Sequence, residues 1–208
     1  MLALQTATVE RPYFAPVSNQ VKLGKHRSVF LAGDPADRFF EVESGAVMVY
    51  RLLDDGRRQV VEVVFPGGVC GLANGDEHDS CCETLMPTVL RSHKRNALAQ
   101  SDALRTRVVE SLQRQLAAAH DHTVSLGRKT AEERVCTLIL RLQEHVGADA
   151  VALPMSRTEI ADYLGLTLET VCRTISALMR RKLVTPGASR SEVRVPSVDR
   201  LRQAACAA

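Results

Sequence analysis

Leu153-Pro154-Met155-Ser156-Arg157-Thr158-Glu159-Ile160-Ala161-Asp162-Tyr163-Leu164-Gly165-Leu166-Thr167-Leu168-Glu169-Thr170-Val171-Cys172-Arg173 is the stretch on which the fold turns. Ser156 and Glu159 have the spacing of a capping box, in which the Ser side chain accepts from the Glu159 N–H and the Glu carboxylate accepts from the Ser N–H. A helix therefore starts at 156. Ile160, Ala161 and Leu164 form its inner face, Gly165 supplies the positive φ of a turn, Leu166 plugs that turn, and Thr167 caps a second helix. A small Ala, a turn Gly and apolar positions at these offsets are what two helices packed across a short turn require, so the segment predicts a helix-turn-helix.

In the second helix Val171, Ile175 and Leu178 step by four and three and face inward. Glu169, Cys172, Arg173, Ser176 and Arg180 fall on the other side. A guanidinium at Arg173 has the geometry to pair bidentately with guanine, and Glu169 to accept from a cytosine amine. The same two residues are also an (i, i+4) ion pair of the sort that decorates any solvated helix, and such a pair can pre-orient the Arg. Beyond them, Arg180-Arg181-Lys182, Leu183-Val184-Thr185, a Pro186-Gly187 turn and Glu192-Val193-Arg194-Val195 read as a two-stranded wing that brings Arg190 and Arg194 toward phosphates.

Upstream the pattern differs. From Val21 to about Leu90, glycines at 33, 45, 56 and 67 punctuate β-rich runs such as Ala46-Val47-Met48-Val49-Tyr50 and Val60-Val61-Glu62-Val63-Val64-Phe65, the rhythm of a β sandwich or small barrel. Asp55-Gly56 is the clearest hairpin signal. Near Ser101 the period lengthens: Leu104, Val108, Leu112, Leu116, Ala119 and Leu126 define an apolar seam on one helix of about 25 residues, roughly 37 Å long. Such a seam packs on the strand domain or, favoured by the length, on a second copy of the chain. A further helix carries Val135, Leu138, Ile139 and Leu142 on one face and ends near Gly147. The expected organisation is α+β: strands over 1–100, the long helix over 101–127, and a winged helix-turn-helix over 128–208.

The 208 residues, 45% hydrophobic and 25% charged, exclude a collagenous, low-complexity or wholly disordered chain. The net charge of +3 names no partner as a sum. Split at Gly127, residues 1–127 hold 14 basic and 15 acidic side chains, while 128–208 hold 13 and 9, placing the positive excess where phosphates need it. No apolar run approaches membrane-spanning length, and Met1 to Pro12 lacks the pattern of a secretory signal, so a cytoplasmic location is expected. Cys70, Cys81, Cys82, Cys136, Cys172 and Cys206 form no Cys-x-x-Cys pair, and reduced thiols are the expectation.

Several of these runs together resemble the superfamily of the cyclic-AMP receptor protein and the fumarate-nitrate reduction regulator, and within it the FixK group. The likeness covers nearly the whole chain: Ser44-Gly45-Ala46-Val47, Tyr50-Arg51-Leu52, Asp55 through Val60, Gly127 through Arg134, and above all Leu153 through Arg173. It implies an N-terminal β-roll (a double-stranded β-helix), a dimerisation helix and a winged helix-turn-helix. It further implies a homodimer on a two-fold inverted repeat resembling TTGAT and ATCAA, and activation of genes for oxygen limitation, nitrogen fixation or respiration. Glu169 and Arg173 are then base readers with Leu168 and Cys172 beside them. Arg157, Thr158, Thr167, Ser176, Arg180, Lys182, Arg190 and Arg194 are the expected backbone contacts. RNA polymerase is met by the hairpin tip Asp54, Asp55 and Gly56 and by the loop near Gly147 to Ala152.

The departures from the superfamily are informative. Its cyclic-nucleotide binders carry an Arg that holds the cyclic phosphate; here no Arg lies between Arg58 and Arg91, and Asp76, Glu77, Asp79 and Glu83 occupy the interval, so no cyclic-AMP response is expected. No Cys precedes Cys70, which excludes the N-terminal cysteine group that holds an iron–sulfur cluster in oxygen-sensing members. His78 among Cys70, Cys81 and Cys82 is a conceivable haem ligand, but reads as a solvated loop histidine. No metal or cofactor is expected. Cys172 stands where many relatives have Ser; an oxidisable thiol there makes loss of DNA binding on oxidation a regulatory alternative to an inert small residue.

Outside this class, cupin-type metalloenzymes also build small β-rolls. Their His-x-His spacing occurs here as His120-Asp121-His122, but on the long helix, where positions two apart diverge by about 200°. No Ser/His/Asp set, paired carboxylates or phosphate-binding glycine loop stands out, so an enzyme is disfavoured. A dimeric scaffold using its helix-turn-helix for protein contacts is the remaining alternative.

Overall fold

The computed structural model describes residues 19–146, 150–187 and 192–206. The glycine-punctuated half forms β1 (Gln20–Leu23), β2 (Ser28–Phe30), β3 (Arg38–Ser44), β4 (Val47–Leu52), β5 (Arg58–Val64), β6 (Val69–Cys70), β7 (Cys81–Thr84) and β8 (Thr88–Lys94). They pair antiparallel into two four-stranded sheets ordered β1-β8-β3-β6 and β2-β7-β4-β5. Alternation along the strands turns Phe30, Phe40, Val42, Val47, Val64, Cys70, Cys82 and Leu90 into a shared core. Gly45 is the turn glycine with least freedom: its φ is +85°, and a Cβ would stand 2.5 Å from Thr88 Oγ1.

After α1 (Ala97–Gln100), Ser101 accepts from the Leu104 N–H and starts α2 (Asp102–Arg128), whose 27 residues span about 40 Å. The six residues expected to form one seam divide among three environments. Leu104 and Val108 are buried against Phe39 and Val69 of the β-roll. Leu112, Leu116 and Ala119 face outward, with Val109 and Val124 alongside. Leu126 is half-buried next to Gly165. The reason is partly angular: at 100° per residue Leu112 and Leu116 lie about 60° and 100° from the mid-line of Leu104 and Val108, while Ser111 and Gln115 continue the β-roll side of the helix by bonding the Gly67 and Val69 carbonyls.

The C-terminal part comprises α3 (Ala131–Val146), β9 (Ala150–Ala152), α4 (Arg157–Leu164), α5 (Leu168–Arg180), β10 (Thr185–Pro186), β11 (Glu192–Arg194) and α6 (Val198–Ala205). Val135, Leu138, Ile139 and Leu142 of α3 are all buried, as their spacing requires. Residues 150–152, a loop by sequence pattern, instead form a strand, and the wing is a three-stranded sheet ordered β10-β11-β9. Gly147 lies outside the described residues. One apolar cluster joins Met48, Val60, Val63 and Leu85 of the β-roll to Leu138, Ile160, Leu164, Val171 and Leu178, so the winged module rests on the sheet that contains β4 and β5.

Candidate nucleic-acid interface

The capping box forms. Ser156 Oγ accepts from the Glu159 N–H at 3.2 Å, and Glu159 Oε2 accepts from the Ser156 N–H at 2.6 Å. Gly165 takes φ 62° and ψ 41°, the left-handed cap that ends α4. Two residues on, Thr167 Oγ1 accepts from the Thr170 N–H at 3.1 Å and opens α5. Val171, Thr174, Ile175 and Leu178 are then buried, which leaves Leu168, Glu169, Cys172, Arg173, Ser176 and Arg180 on the opposite, outward face.

Among the described residues neither Glu169 nor Arg173 forms an ion pair, so the (i, i+4) pairing that the spacing allows is not made. Ser176 Oγ donates to the Cys172 carbonyl at 2.8 Å, which leaves its lone pairs as acceptors. Thr167, Lys182 and Arg194 are exposed around this face, as is Thr158, and Arg190 lies outside the described residues. Arg157 is different. It is half-buried, its Nη1 lacks a hydrogen-bond partner among the described residues, and burial lowers its pKa while the nearby Cys172 thiol acts to raise it. The hairpin tip at Asp54, Asp55 and Gly56 is exposed, with the Asp55 carboxylate held below its ordinary pKa by the Arg57 backbone and side-chain donors.

Two positioning residues carry no signal in the sequence. Arg134 donates to the carbonyls of Leu126 at 2.6 Å, Lys129 at 2.9 Å and Leu164 at 2.9 Å, tying the ends of α2 and α4 to α3. Arg58 pairs with Asp162 at 2.9 Å and ties β5 to α4. In the sequence Arg134 is only one letter of a matching run, because the carbonyls that it serves are set by tertiary structure.

Residues 133–204 match the Crp-like helix-turn-helix domain, and residues 20–100 match the cyclic nucleotide-binding domain. The nitrogen fixation regulation protein FixK of Rhizobium meliloti is 37% identical over 185 residues, 86% of each chain. The FixK of Bradyrhizobium diazoefficiens is 36% identical, over 80% of this chain and 74% of its own. The chain belongs to the FixK group of Crp-like regulators. Among solved structures, FixK2 from Bradyrhizobium japonicum superposes with a TM-score of 0.77 at 36% identity, covering 88% of this chain and 95% of that one. A CRP-family transcriptional regulator from Thermus thermophilus reaches 0.80 at 23% identity, over 89% and 96%, a likeness of fold alone. This FixK-like protein is thus a DNA-binding transcription regulator and not an enzyme.

The β-roll of the FixK-like chain does not suit the cyclic nucleotide that its domain family implies. A cavity of about 340 Å³ between the β-roll and α2 is lined by Glu62, Asp79, His78, Gln115, Leu112 and Leu116 among others, and by no Lys or Arg. An anionic phosphate there meets carboxylates and no permanent cation. His78 is not the solvated loop residue expected from sequence. It is 6% exposed and stacks on Phe30 with 3.9 Å between centroids, and burial lowers its pKa.

Proposed function

We propose that the chain acts as a homodimer, joined through the outward strip of Leu112, Leu116 and Ala119 on α2, and places two copies of α5 in successive major grooves of an inverted repeat resembling TTGAT and ATCAA. Glu169 and Arg173 read base edges, with Leu168 and Cys172 beside them. Thr158, Thr167, Ser176, Arg180, Lys182, Arg190 and Arg194 hold the phosphates, and Arg157 supports them from beneath. The outward face of α5 carries this reading: Glu169 and Arg173 stand there without ion-pair partners among the described residues, on a helix whose other face is packed. The relatives' names support a regulator of nitrogen fixation. Activation under oxygen limitation follows the same likeness, with RNA polymerase met at Asp54, Asp55 and Gly56. Neither cyclic AMP nor an iron–sulfur cluster takes part, and the protein works in the cytoplasm. Among the described residues no helix is long and apolar enough to cross a membrane.

Fluorescence anisotropy on a labelled inverted-repeat duplex at several salt concentrations tests this. Affinity must fall steeply with salt, with one dimer per duplex. A salt-insensitive contact, or equal affinity for a scrambled duplex, sinks the reading in favour of a protein-binding scaffold.

A further inference from the structure

His26 lies in the turn between β1 and β2, Glu83 on β7 and Glu159 at the start of α4, too far apart in sequence for any ligand-spacing motif. The fold gathers them at the junction of β-roll and winged module. His26 Nδ1 is 3.1 Å from Glu83 Oε1 and 3.6 Å from Glu159 Oε1, and one candidate ligand atom of each residue lies within 4.8 Å of the other two. The turn is held by the His26 N–H donating to the Thr84 carbonyl at 2.8 Å.

Glu159 points to a ligand. Its side chain is 4% exposed. The Ser156 N–H fixes Oε2 at 2.6 Å, and Oε1, turned toward His26, accepts no hydrogen bond among the described residues. A buried carboxylate oriented by a backbone donor, with one oxygen left open, is the arrangement of a metal ligand supported from behind. The charge balance agrees. Glu83, Glu159 and Asp162 bring three negative charges, against which Arg58, 2.9 Å from Asp162 and 4.0 Å from Glu83, is the permanent cation in ion-pair contact among the described residues. These three carboxylates outnumber that one cation in ion-pair contact with them among the described residues.

We propose that His26 Nδ1, Glu83 and Glu159 bind one divalent transition-metal ion, zinc or a close equivalent, with solvent completing a four-coordinate site. One imidazole nitrogen and two carboxylates form a donor set suited to such ions. At metal–ligand distances of about 2.0–2.1 Å, tetrahedral ligand atoms stand about 3.3 Å apart. The 3.1 and 3.6 Å separations straddle that value, and the two carboxylate oxygens lie within 4.8 Å of each other. His26 is 47% exposed, which gives the ion a path from solvent. Bound there, the ion ties α4 to the β-roll and couples metal supply to the orientation of the winged module.

Titration of chelator-treated full-length protein with Zn²⁺ by calorimetry, and with Co²⁺ by absorption, tests the site in the native chain, His26→Ala and Glu83→Gln. The expected result is one equivalent per chain, the intense visible d–d bands of four-coordinate Co²⁺ without sulfur-to-cobalt charge transfer, and at least about tenfold weaker binding in both variants. A melting curve without metal establishes that each variant is folded. Absence of binding, a sulfur charge-transfer band, or unchanged affinity in His26→Ala overturns the proposal. None of these outcomes depends on whether the chain reads the inverted repeat.

Discussion

In the β-roll, Cys70, Cys81 and Cys82 are buried, and Arg51, Arg58 and Arg91 each pair with a carboxylate. In the winged module Cys172 is exposed, and Arg173, Arg180 and Arg194 form no ion pair among the described residues. These arginines are paired on the β-roll and left unpaired around the outward face of α5, although Arg181 and Arg202 of the winged module do pair, with Glu132 and Asp199. Pairing with Asp162 offsets the cost of drawing Arg58, 25% exposed, partly out of water, whereas Arg51 and Arg91 pair at the surface. Outward, an unpaired cation costs little in water and gains when it displaces the counterions of a phosphate backbone. The contrast is between a β-roll whose arginines are engaged and a face of α5 whose arginines are open to a partner.

Oxidation should break the contrast most sharply. Burial pushes the Cys82 thiol well above its ordinary pKa, which protects it, while Cys172 lies open on the face of α5. Peroxide is expected to abolish duplex binding by the native chain and to leave Cys172→Ser insensitive in a gel-shift assay. Equal sensitivity in both removes Cys172 as the switch.

Replacing Arg173 by Ala should cost about 1–3 kcal/mol per half-site and relax the preference at one base. Arg91→Ala, in the β-roll, should leave DNA affinity unchanged. Anisotropy on duplexes substituted at the guanine measures both.

A smaller effect separates the halves by pH. Burial lowers the pKa of His78 in the β-roll and, together with Arg141, of His122 on α2. A depressed histidine pKa means that the unfolded chain takes up protons first. Its stabilising contribution is complete above the unfolded value of 6.5 and is lost as pH falls through the lower folded value. Melting temperature should therefore decline on acidification below about pH 6.5, less so in His78→Phe, while Arg173→Ala keeps the native profile.

The smallest expected effect is none. Cyclic AMP should shift neither melting temperature nor duplex affinity, because the β-roll cavity offers carboxylates and no permanent cation. Micromolar affinity by calorimetry would reverse the reading of that cavity.

The winged module is legible almost residue by residue. Capping boxes, left-handed glycines and (i, i+3/i+4) spacing are local, and Ser156, Gly165, Thr167 and Val171 behave as their neighbours in sequence dictate. What stays hidden depends on distant partners. His78 has the sequence surroundings of a loop histidine but is buried against distant groups, the Phe30 ring among them, and β9 has those of a loop but pairs with β11. The seam of α2 reads as one stripe because periodicity reports which residues are apolar and not which neighbour they meet.

By itself, then, the sequence determined two things: the order of strand half, long helix and helix-turn-helix, and the chemistry of the outward face of α5. Both rest on interactions within a few residues, whose free energies do not wait for the rest of the chain. Only tertiary structure decided how α2 divides its apolar residues between the β-roll and the outside, how Arg134 and Arg58 join the halves, and how His26, Glu83 and Glu159 meet. Those contacts close long loops, and their partners are chosen by packing rather than by spacing.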